Sequence, residues 1–310
     1  MENKSQKGLW AVIGILVLVV FVLVYFLFIS KANTMPERNL LSATVNSTAS
    51  VEVGNAIPAA SNTVLNGGGS ITLIPSPSTT SVVVTGTLTD ANGCNDLSSV
   101  NVAVYKNGTT CTSSGNANDD NCYFINIASS SFSGCTGGSD TIASVSNTFD
   151  FKYFADPGTW SATITPSDII EVGTANTSSV AVNETIAINV PGTLSYGAVA
   201  GGAASTGDHT TTVTNLGNVA IDYNLKGADL VCTGTNSQGL IPVGNLEYAL
   251  ASFLYGAGTD LTASDVAVNA DLATTSSSVI SDDAYWQVSV PSGVRGICSG
   301  AITFTAIPAI

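Results

Sequence analysis

An uncharged apolar run near the amino terminus constrains this chain more than any other feature. Residues 9–30 are 22 consecutive residues without a formal charge, and Lys4 and Lys7 precede them. A helix of this length covers the ~30 Å hydrocarbon core of a bilayer, whereas a cleavable secretory signal has an apolar region of about 7–15 residues. The run therefore predicts one transmembrane helix at residues 9–30, with a cytoplasmic tail at residues 1–8 and the remainder outside.

The rest of the chain is acidic and poor in charge. Only 10% of all residues are charged, while 45% are hydrophobic. Glu2, Lys4 and Lys7 are the charged residues among the first 30, so the remainder holds 21 acidic and 6 basic residues, a formal charge of −15. An acidic surface repels phosphate backbones, so we expect no nucleic-acid partner.

Short runs of alternating or β-branched residues recur beyond the apolar run. Residues 81–89 and 100–105 are two of them, and the turn-forming residues 90–93 lie between the two. Such runs, punctuated by turn residues and without a helical period, are typical of β-sandwiches. Residues 246–256 fit either a short helix or a strand pair, because their apolar period does not distinguish the two.

The predicted fold class is therefore all-β, with two tandem immunoglobulin-like β-sandwich domains after a single N-terminal transmembrane helix. The predicted segments are a tail at 1–8, a transmembrane helix at 9–30, a stalk at 31–50, a first domain at 51–171 and a second domain at 172–310.

All six cysteines lie beyond the apolar run, where an oxidising compartment allows disulfides to persist. Four fall in the first predicted domain and two in the second, so the last two pair with each other. The first four allow three connectivities, of which we favour the one that closes a polar loop between Cys111 and Cys122. A zinc site is disfavoured, because no CxxC spacing occurs and His209 is the only histidine. The favoured pairs are Cys94 with Cys135, Cys111 with Cys122, and Cys232 with Cys298.

A loop at residues 90–96 is rich in side-chain oxygens. Asp90, Asn92 and Asp96 are ligands of the kind that Ca²⁺ prefers, and they predict a calcium site. The alternative is a hairpin turn without a metal, since Asn followed by Gly is a frequent turn pair. No other cofactor is expected.

No pattern of catalytic residues stands out, and we predict that the protein is not an enzyme. Asp208 and His209 are adjacent, so on a strand their side chains point to opposite faces. No serine lies in a Gly-x-Ser-x-Gly elbow. Asp282 and Asp283 fit a solvated turn, and no catalytic residue is assigned.

Two tryptophans and four sequons complete the candidates. Trp160 and Trp286 fit either sugar-stacking platforms or positions in the core or at its rim, and their alternating apolar neighbours favour the core or rim. The Asn-x-Ser/Thr sequons are glycosylation candidates if the host has the machinery. They are Asn46, Asn107, Asn176 and Asn183.

The amino terminus resembles that of archaeal type IV pilins. Lys7 and Gly8 precede the apolar residues 9–14, as in the class III signals of that family. The resemblance implies cleavage between Gly8 and Leu9, followed by packing of the helix in the core of a filament.

The β-rich remainder resembles modules of prokaryotic surface proteins. Residues 89–93 and 156–160 are similar to immunoglobulin-like repeats of secreted bacterial and archaeal proteins. Residues 193–197, 214–218 and 299–305 resemble extracellular β-sandwich modules. In such modules these residues are structural, so the resemblance implies display rather than catalysis.

The expected function is that of a single-pass, membrane-anchored cell-surface protein with a structural or adhesion role. One alternative is a pilin-like filament subunit that assembles through its N-terminal helix, and another is a carbohydrate-binding surface module. The expected partners are the membrane through residues 9–30, further copies of the chain in a filament, and a surface glycan or protein.

Overall fold

The computed structural model describes residues 4–32, 48–137, 139–274 and 279–309. The chain divides into two compact units, Met1–Val53 and Gly54–Ile310. The first contains helix α1 (Lys4–Ala32), whose side chains are described at 13–29. Apart from Gly14, each of these side chains is at least 40% exposed. Over the described residues, no helix combines the length and the apolar character that a membrane span requires.

The described part of the second unit is built almost wholly of antiparallel strands, with four short 3₁₀ turns at Asn66–Gly68, Ser114–Asn116, Ser129–Ser131 and Val243–Asn245. The described strands are β1 (Ala59–Leu65), β2 (Thr79–Thr89), β3 (Leu97–Lys106), β4 (Cys122–Ala128), β5 (Ile142–Lys152), β6 (Gly158–Asp168), β7 (Asn176–Val182), β8 (Ile188–Asn189), β9 (His209–Asn215), β10 (Ile221–Gly227), β11 (Leu230–Gln238), β12 (Leu240–Ile241), β13 (Leu246–Ala249), β14 (Thr259–Asp260), β15 (Val266–Leu272), β16 (Ile280–Val288), β17 (Arg295–Ser299) and β18 (Ile302–Pro308).

The first group of strands forms a β-sandwich-like body. One sheet has the order β1-β2-β5 and the other the order β4-β3-β6-β7. Inward residues of both sheets share one hydrophobic core, with Phe151 and Trp160 fully buried at its centre. Strand β2 shows why these residues form a strand: Val82, Val84 and Leu88 are buried, and exposed residues alternate with the two valines.

The second group repeats this arrangement. A sheet of order β14-β13-β16-β9-β8 and a sheet of order β15-β10-β18 share a second core, in which Trp286 and Tyr223 are fully buried. A third sheet has the order β12-β11-β17. The segment 246–256, open at the sequence level, begins with strand β13, which pairs with β16. The all-β prediction is confirmed.

The first sandwich extends beyond residue 171, the predicted end of the first domain. Strand β7 pairs with β6 along its whole length, from Asn176 opposite Ile164 to Val182 opposite Gly158. The change from the first group of sheets to the second therefore comes after Val182. Hydrogen bonding to β6 thus assigns β7 to the first sheet pair, although the predicted second domain begins at residue 172.

Asn218 joins the two groups of sheets. This residue is 3% exposed, and its Nδ2 donates to the carbonyl oxygens of Ala155 and Asn183 at 3.0 and 3.1 Å. Its Oδ1 accepts a hydrogen bond from the backbone N–H of Thr185. One buried amide thus satisfies backbone groups on both sides of the junction, which fits the single compact unit formed by these sheets.

Three disulfides cross-link the β-rich unit, and all six cysteines take part. Two lie in the first sandwich, and the third connects β11 to β17, where Cys232 and Cys298 are direct cross-strand partners. The pairs are those favoured from the sequence: Cys94 with Cys135, Cys111 with Cys122, and Cys232 with Cys298.

Candidate functional site

A cluster of three carboxylates lies at one end of the first sandwich. The register of β3 against β6 places Asp168 opposite Leu97, the residue that follows Asp96. Each of the three residues contributes one carboxylate oxygen, and these oxygens lie within 4.8 Å of one another; the residues are Asp90, Asp96 and Asp168. The sequence pointed to Asp90 and Asp96 but missed Asp168, which is distant along the chain and reaches the cluster only through strand pairing.

Asp90 is the most buried member of the cluster, at 1% exposure. Its Oδ1 accepts the backbone N–H of Asn92 at 2.8 Å, while its Oδ2 is buried and has no hydrogen-bond partner among the described residues. Burial raises the pKa of Asp90, the Asn92 N–H lowers it, and the negative charges of Asp96 and Asp168 raise it further. One oxygen of this buried carboxyl group therefore lacks a compensating donor or cation among the described residues.

Asp168 is held in place by three donors. Its Oδ1 accepts the backbone N–H groups of Ile170 and Glu171, each at 2.6 Å, and its Oδ2 accepts Asn55 Nδ2 at 2.8 Å. The hydrogen bond from Asn55 is the largest cause that keeps the pKa of Asp168 below its ordinary value. These donors fix the orientation of the carboxylate toward the cluster.

Asn92, predicted as a third calcium ligand, uses both ends of its amide elsewhere. Its Oδ1 accepts the backbone N–H of Ala56, and its Nδ2 donates to the carbonyl of Gly54 at 3.2 Å. Together with Asn55, these residues form the start of the β-rich unit, and we call residues 54–56 the entry segment. The loop at 90–96 therefore holds the entry segment as well as two of the carboxylates.

The acidic loop is fixed by its own backbone contacts and by a disulfide. Asp90 N donates to Thr141 O at 2.9 Å, and Cys94 N donates to Asp140 O at 2.6 Å. Cys94 is also bonded to Cys135. The positions of the carboxylates are therefore set by the scaffold rather than by a free loop.

A groove of about 500 Å³ lies on the outer side of the same sandwich. Tyr105 and Phe124, both partly buried, pack against the Cys111–Cys122 disulfide at this place. The Tyr105 hydroxyl lies 3.2 Å from Thr163 Oγ1. The groove thus combines two aromatic rings with hydroxyl groups. Its lining residues are Asn101, Ala103, Tyr105, Thr109, Thr110, Cys111, Thr112, Phe124, Thr163 and Thr165.

Asp208 and His209 do not join a serine in a catalytic relay. Ser252 Oγ donates to Asp208 Oδ1 at 2.6 Å beside a cavity of about 330 Å³. His209 Nε2 is instead buried and has no hydrogen-bond partner among the described residues, and its ring packs edge-on against Tyr196 with centroids 5.1 Å apart. His209 therefore does not bridge Asp208 and Ser252, so these three side chains do not have the arrangement of a Ser–His–Asp triad.

The remaining candidates lie apart from the cluster. Trp160 and Trp286 are fully buried, which removes both as sugar-stacking platforms. Among the sequons, Asn107 is exposed, whereas Asn176 and Asn183 are half-buried and bonded to Thr63 N and Thr72 Oγ1, respectively. Asn46 lies outside the described residues, as do the side chains at the predicted cleavage point, Gly8 and Leu9.

Comparisons with known proteins give distant structural matches. No protein-family model matches this chain, and no curated protein matches its sequence. A chain from a chaperone–tip adhesin complex of CFA/I fimbriae biogenesis aligns over 82% of this chain and 84% of its own, with 12% identity and a TM-score of 0.29. The C-terminal domain of the Streptococcus agalactiae AgI/II polypeptide BspA aligns over 77% and 94%, with 10% identity and a TM-score of 0.22. The similarity of this chain to these β-rich domains is limited to these low identities and TM-scores.

Proposed function

We propose that this chain is a membrane-anchored cell-surface protein with a structural or adhesion role, which displays two β-sandwich domains through its N-terminal helix. One observation carries the proposal: an uncharged run of 22 residues precedes a β-rich unit in which all six cysteines form disulfides. Disulfides persist in oxidising compartments, and an apolar run of this length suits a bilayer.

The surface of α1 supports this assignment. The side chains described at 13–29 are apolar apart from Gly14 and the Tyr25 hydroxyl, and they are exposed on all sides of the helix. Leaving apolar surface in water costs roughly 25 cal/mol per Å². Lipid around the helix would remove that cost, and so would packing against other copies in a filament.

A carbohydrate-binding role has less support. The two tryptophans that offered stacking faces are buried in the cores. Tyr105 and Phe124 in the outer groove are partly buried against a disulfide. We therefore place sugar binding behind a structural or adhesion role, and a glycan array provides its test.

The decisive experiment determines the mature amino terminus by intact-mass spectrometry of protein isolated from its own cells, together with carbonate extraction of the membranes. A start at Met1 in the carbonate-resistant fraction is the result expected for a permanent anchor. A start at Leu9 would favour the filament subunit instead. A start near Asn33 would mean that the apolar run is removed, and would overturn anchoring.

A matched pair of variants tests the role of the helix directly. Leu18→Arg places a charge near the middle of the apolar run, where it opposes insertion by about 2.5–3.5 kcal/mol, whereas Leu18→Ile keeps the apolar character. We expect the arginine variant to shift toward the carbonate-soluble fraction and the isoleucine variant to remain in the membrane. Equal retention of both would contradict the proposal.

A further inference from the structure

We propose that Asp90, Asp96 and Asp168 bind a calcium ion, and that the bound ion fixes the entry segment to the first sandwich. The three carboxylates converge, since one oxygen of each lies within 4.8 Å of the others. Two ligands on opposite sides of one Ca²⁺ at ~2.4 Å are separated by about 4.8 Å, so no pair of these oxygens is too far apart to share one ion.

The buried side chain of Asp90 points to a ligand independently of the cluster. Asp90 is 1% exposed, and its carboxylate is aimed into the cluster, yet its buried Oδ2 has no hydrogen-bond partner among the described residues. Buried carboxylates are normally paired with a donor, a cation or a metal. A cation bound between the three side chains would supply the missing partner.

Protein cations do not supply it. Between described residues, the ion pairs are Lys106 with Asp156 and Lys226 with Asp265, and neither includes a member of the cluster. The donors around Asp168 are neutral backbone and amide groups. A divalent ion is therefore the partner of suitable charge, and a set made only of oxygen ligands favours a hard cation.

The entry segment would respond to the ion because Asp168 belongs to the ion site and also accepts a hydrogen bond from Asn55 of that segment. Asn55 Nδ2 donates to Asp168 Oδ2, and also to Glu171 Oε1 at 3.1 Å. Asn92, between Asp90 and Asp96 in the chain, binds the segment on either side of Asn55. Without the ion, mutual repulsion of the carboxylates disfavours the arrangement that presents Asp168 to Asn55. Calcium should therefore make the start of the β-rich unit resistant to proteolysis.

The test titrates CaCl₂ into the chelator-treated full chain in detergent micelles, with isothermal calorimetry and thermal unfolding as readouts. We expect one ion per chain and a rise in Tm of several degrees at saturation. Asp96→Asn removes one ligand charge and should weaken Ca²⁺ affinity at least tenfold, whereas Asp119→Asn makes the same change at an exposed site outside the cluster and should leave it unchanged. No binding at millimolar Ca²⁺, equal affinity in both variants, or an equal response to MgCl₂ would overturn the calcium assignment.

Asn55→Ala separates the ion site from its effect on the entry segment, and it leaves all three carboxylates in place. We expect this variant to bind one Ca²⁺ but to lose at least half of the calcium-dependent protection against cleavage near residues 48–56. Full protection in the variant would overturn the link to the entry segment. These readouts do not depend on membrane anchoring, so failure here and failure of the proposed function are distinguishable.

Discussion

Each sandwich buries one tryptophan, and the two differ in whether the indole N–H has a hydrogen-bond partner. Trp160 and Trp286 are both fully buried. In the first sandwich, Trp160 Nε1 donates to the carbonyl of Asp156 at 2.8 Å. In the second, Trp286 Nε1 is buried and has no partner among the described residues. The same residue type at a similar depth thus completes a hydrogen bond in one body and not in the other.

Buried polar groups without a partner have different meanings in the two sandwiches, depending on whether the group is neutral or a carboxylate. In the second sandwich the buried unpartnered groups include Trp286 Nε1, His209 Nε2 and the Tyr196 hydroxyl, which lie among aromatic rings. In the first, the Tyr153 hydroxyl is also buried without a partner among the described residues, but the unpartnered Asp90 oxygen lies in a cluster of carboxylates. A neutral group buried without a partner costs a modest amount of stability, whereas a buried carboxylate among others calls for a cation.

The largest expected effect comes from the disulfides, which differ in span between the two bodies. Cys232 and Cys298 are 66 residues apart, whereas Cys111 and Cys122 are 11 apart. In the chain-entropy model, removing the first bridge by a double alanine substitution costs about 4 kcal/mol and removing the second about 3 kcal/mol. Urea unfolding under non-reducing conditions measures both. A larger loss from the shorter bridge would show that packing of its loop outweighs loop entropy.

A smaller effect sharpens the tryptophan comparison itself. Trp160→Phe removes a hydrogen bond and leaves the Asp156 carbonyl without its donor, whereas Trp286→Phe removes an unpartnered N–H group. We expect the first change to lower the free energy of unfolding by about 1 kcal/mol more than the second. Unfolding followed by far-ultraviolet circular dichroism avoids the loss of the fluorophore. A greater loss from Trp286→Phe would reverse the contrast.

The smallest effect concerns Asp140, which closes a turn in the first sandwich. Its Oδ2 accepts the backbone N–H groups of Thr136 and Gly137 and the Thr136 hydroxyl. These hydrogen bonds, of which the one from the Thr136 N–H has the largest effect, hold the pKa of Asp140 below its ordinary value of 3.8. A lowered folded-state pKa gives stability that is present above 3.8 and is lost as the pH falls through the folded value.

Asp140→Asn should therefore lower Tm slightly at neutral pH, and the difference from the unmodified chain should vanish in strong acid. Asp150→Asn, on the adjacent strand β5, is the control, since the one described donor to that carboxylate is Ser81 Oγ. A difference in Tm that stays constant with pH would contradict the role assigned to the Asp140 charge.

Local sequence patterns predicted much of the fold. Alternation identified β2 and β3, because a strand buried on one face repeats every two residues. The number and distribution of the cysteines led to the observed pairs. The end of the first sandwich was placed too early, because β7 becomes part of it only by pairing with β6.

The acidic cluster was predicted only in part from the sequence. Asp90 and Asp96 lie in one turn and were visible as oxygen ligands, but Asn92 is used by the entry segment. The third carboxylate, Asp168, arrives through the register that sets it opposite Leu97. The sequence pattern could indicate the strand that ends at Asp168. It could not place Asp168 near Asp90 and Asp96 until the pairing of β6 with β3 was known.

The sequence by itself determined the apolar helix, the β-rich class and the oxidised cysteines, since these follow from local hydropathy, propensity and composition. Tertiary structure alone decided that three carboxylates meet and that one amide, Asn218, joins the two sandwiches. The physical reason is that such contacts depend on strand register, and register is fixed by the burial of a whole sheet face rather than by any short segment.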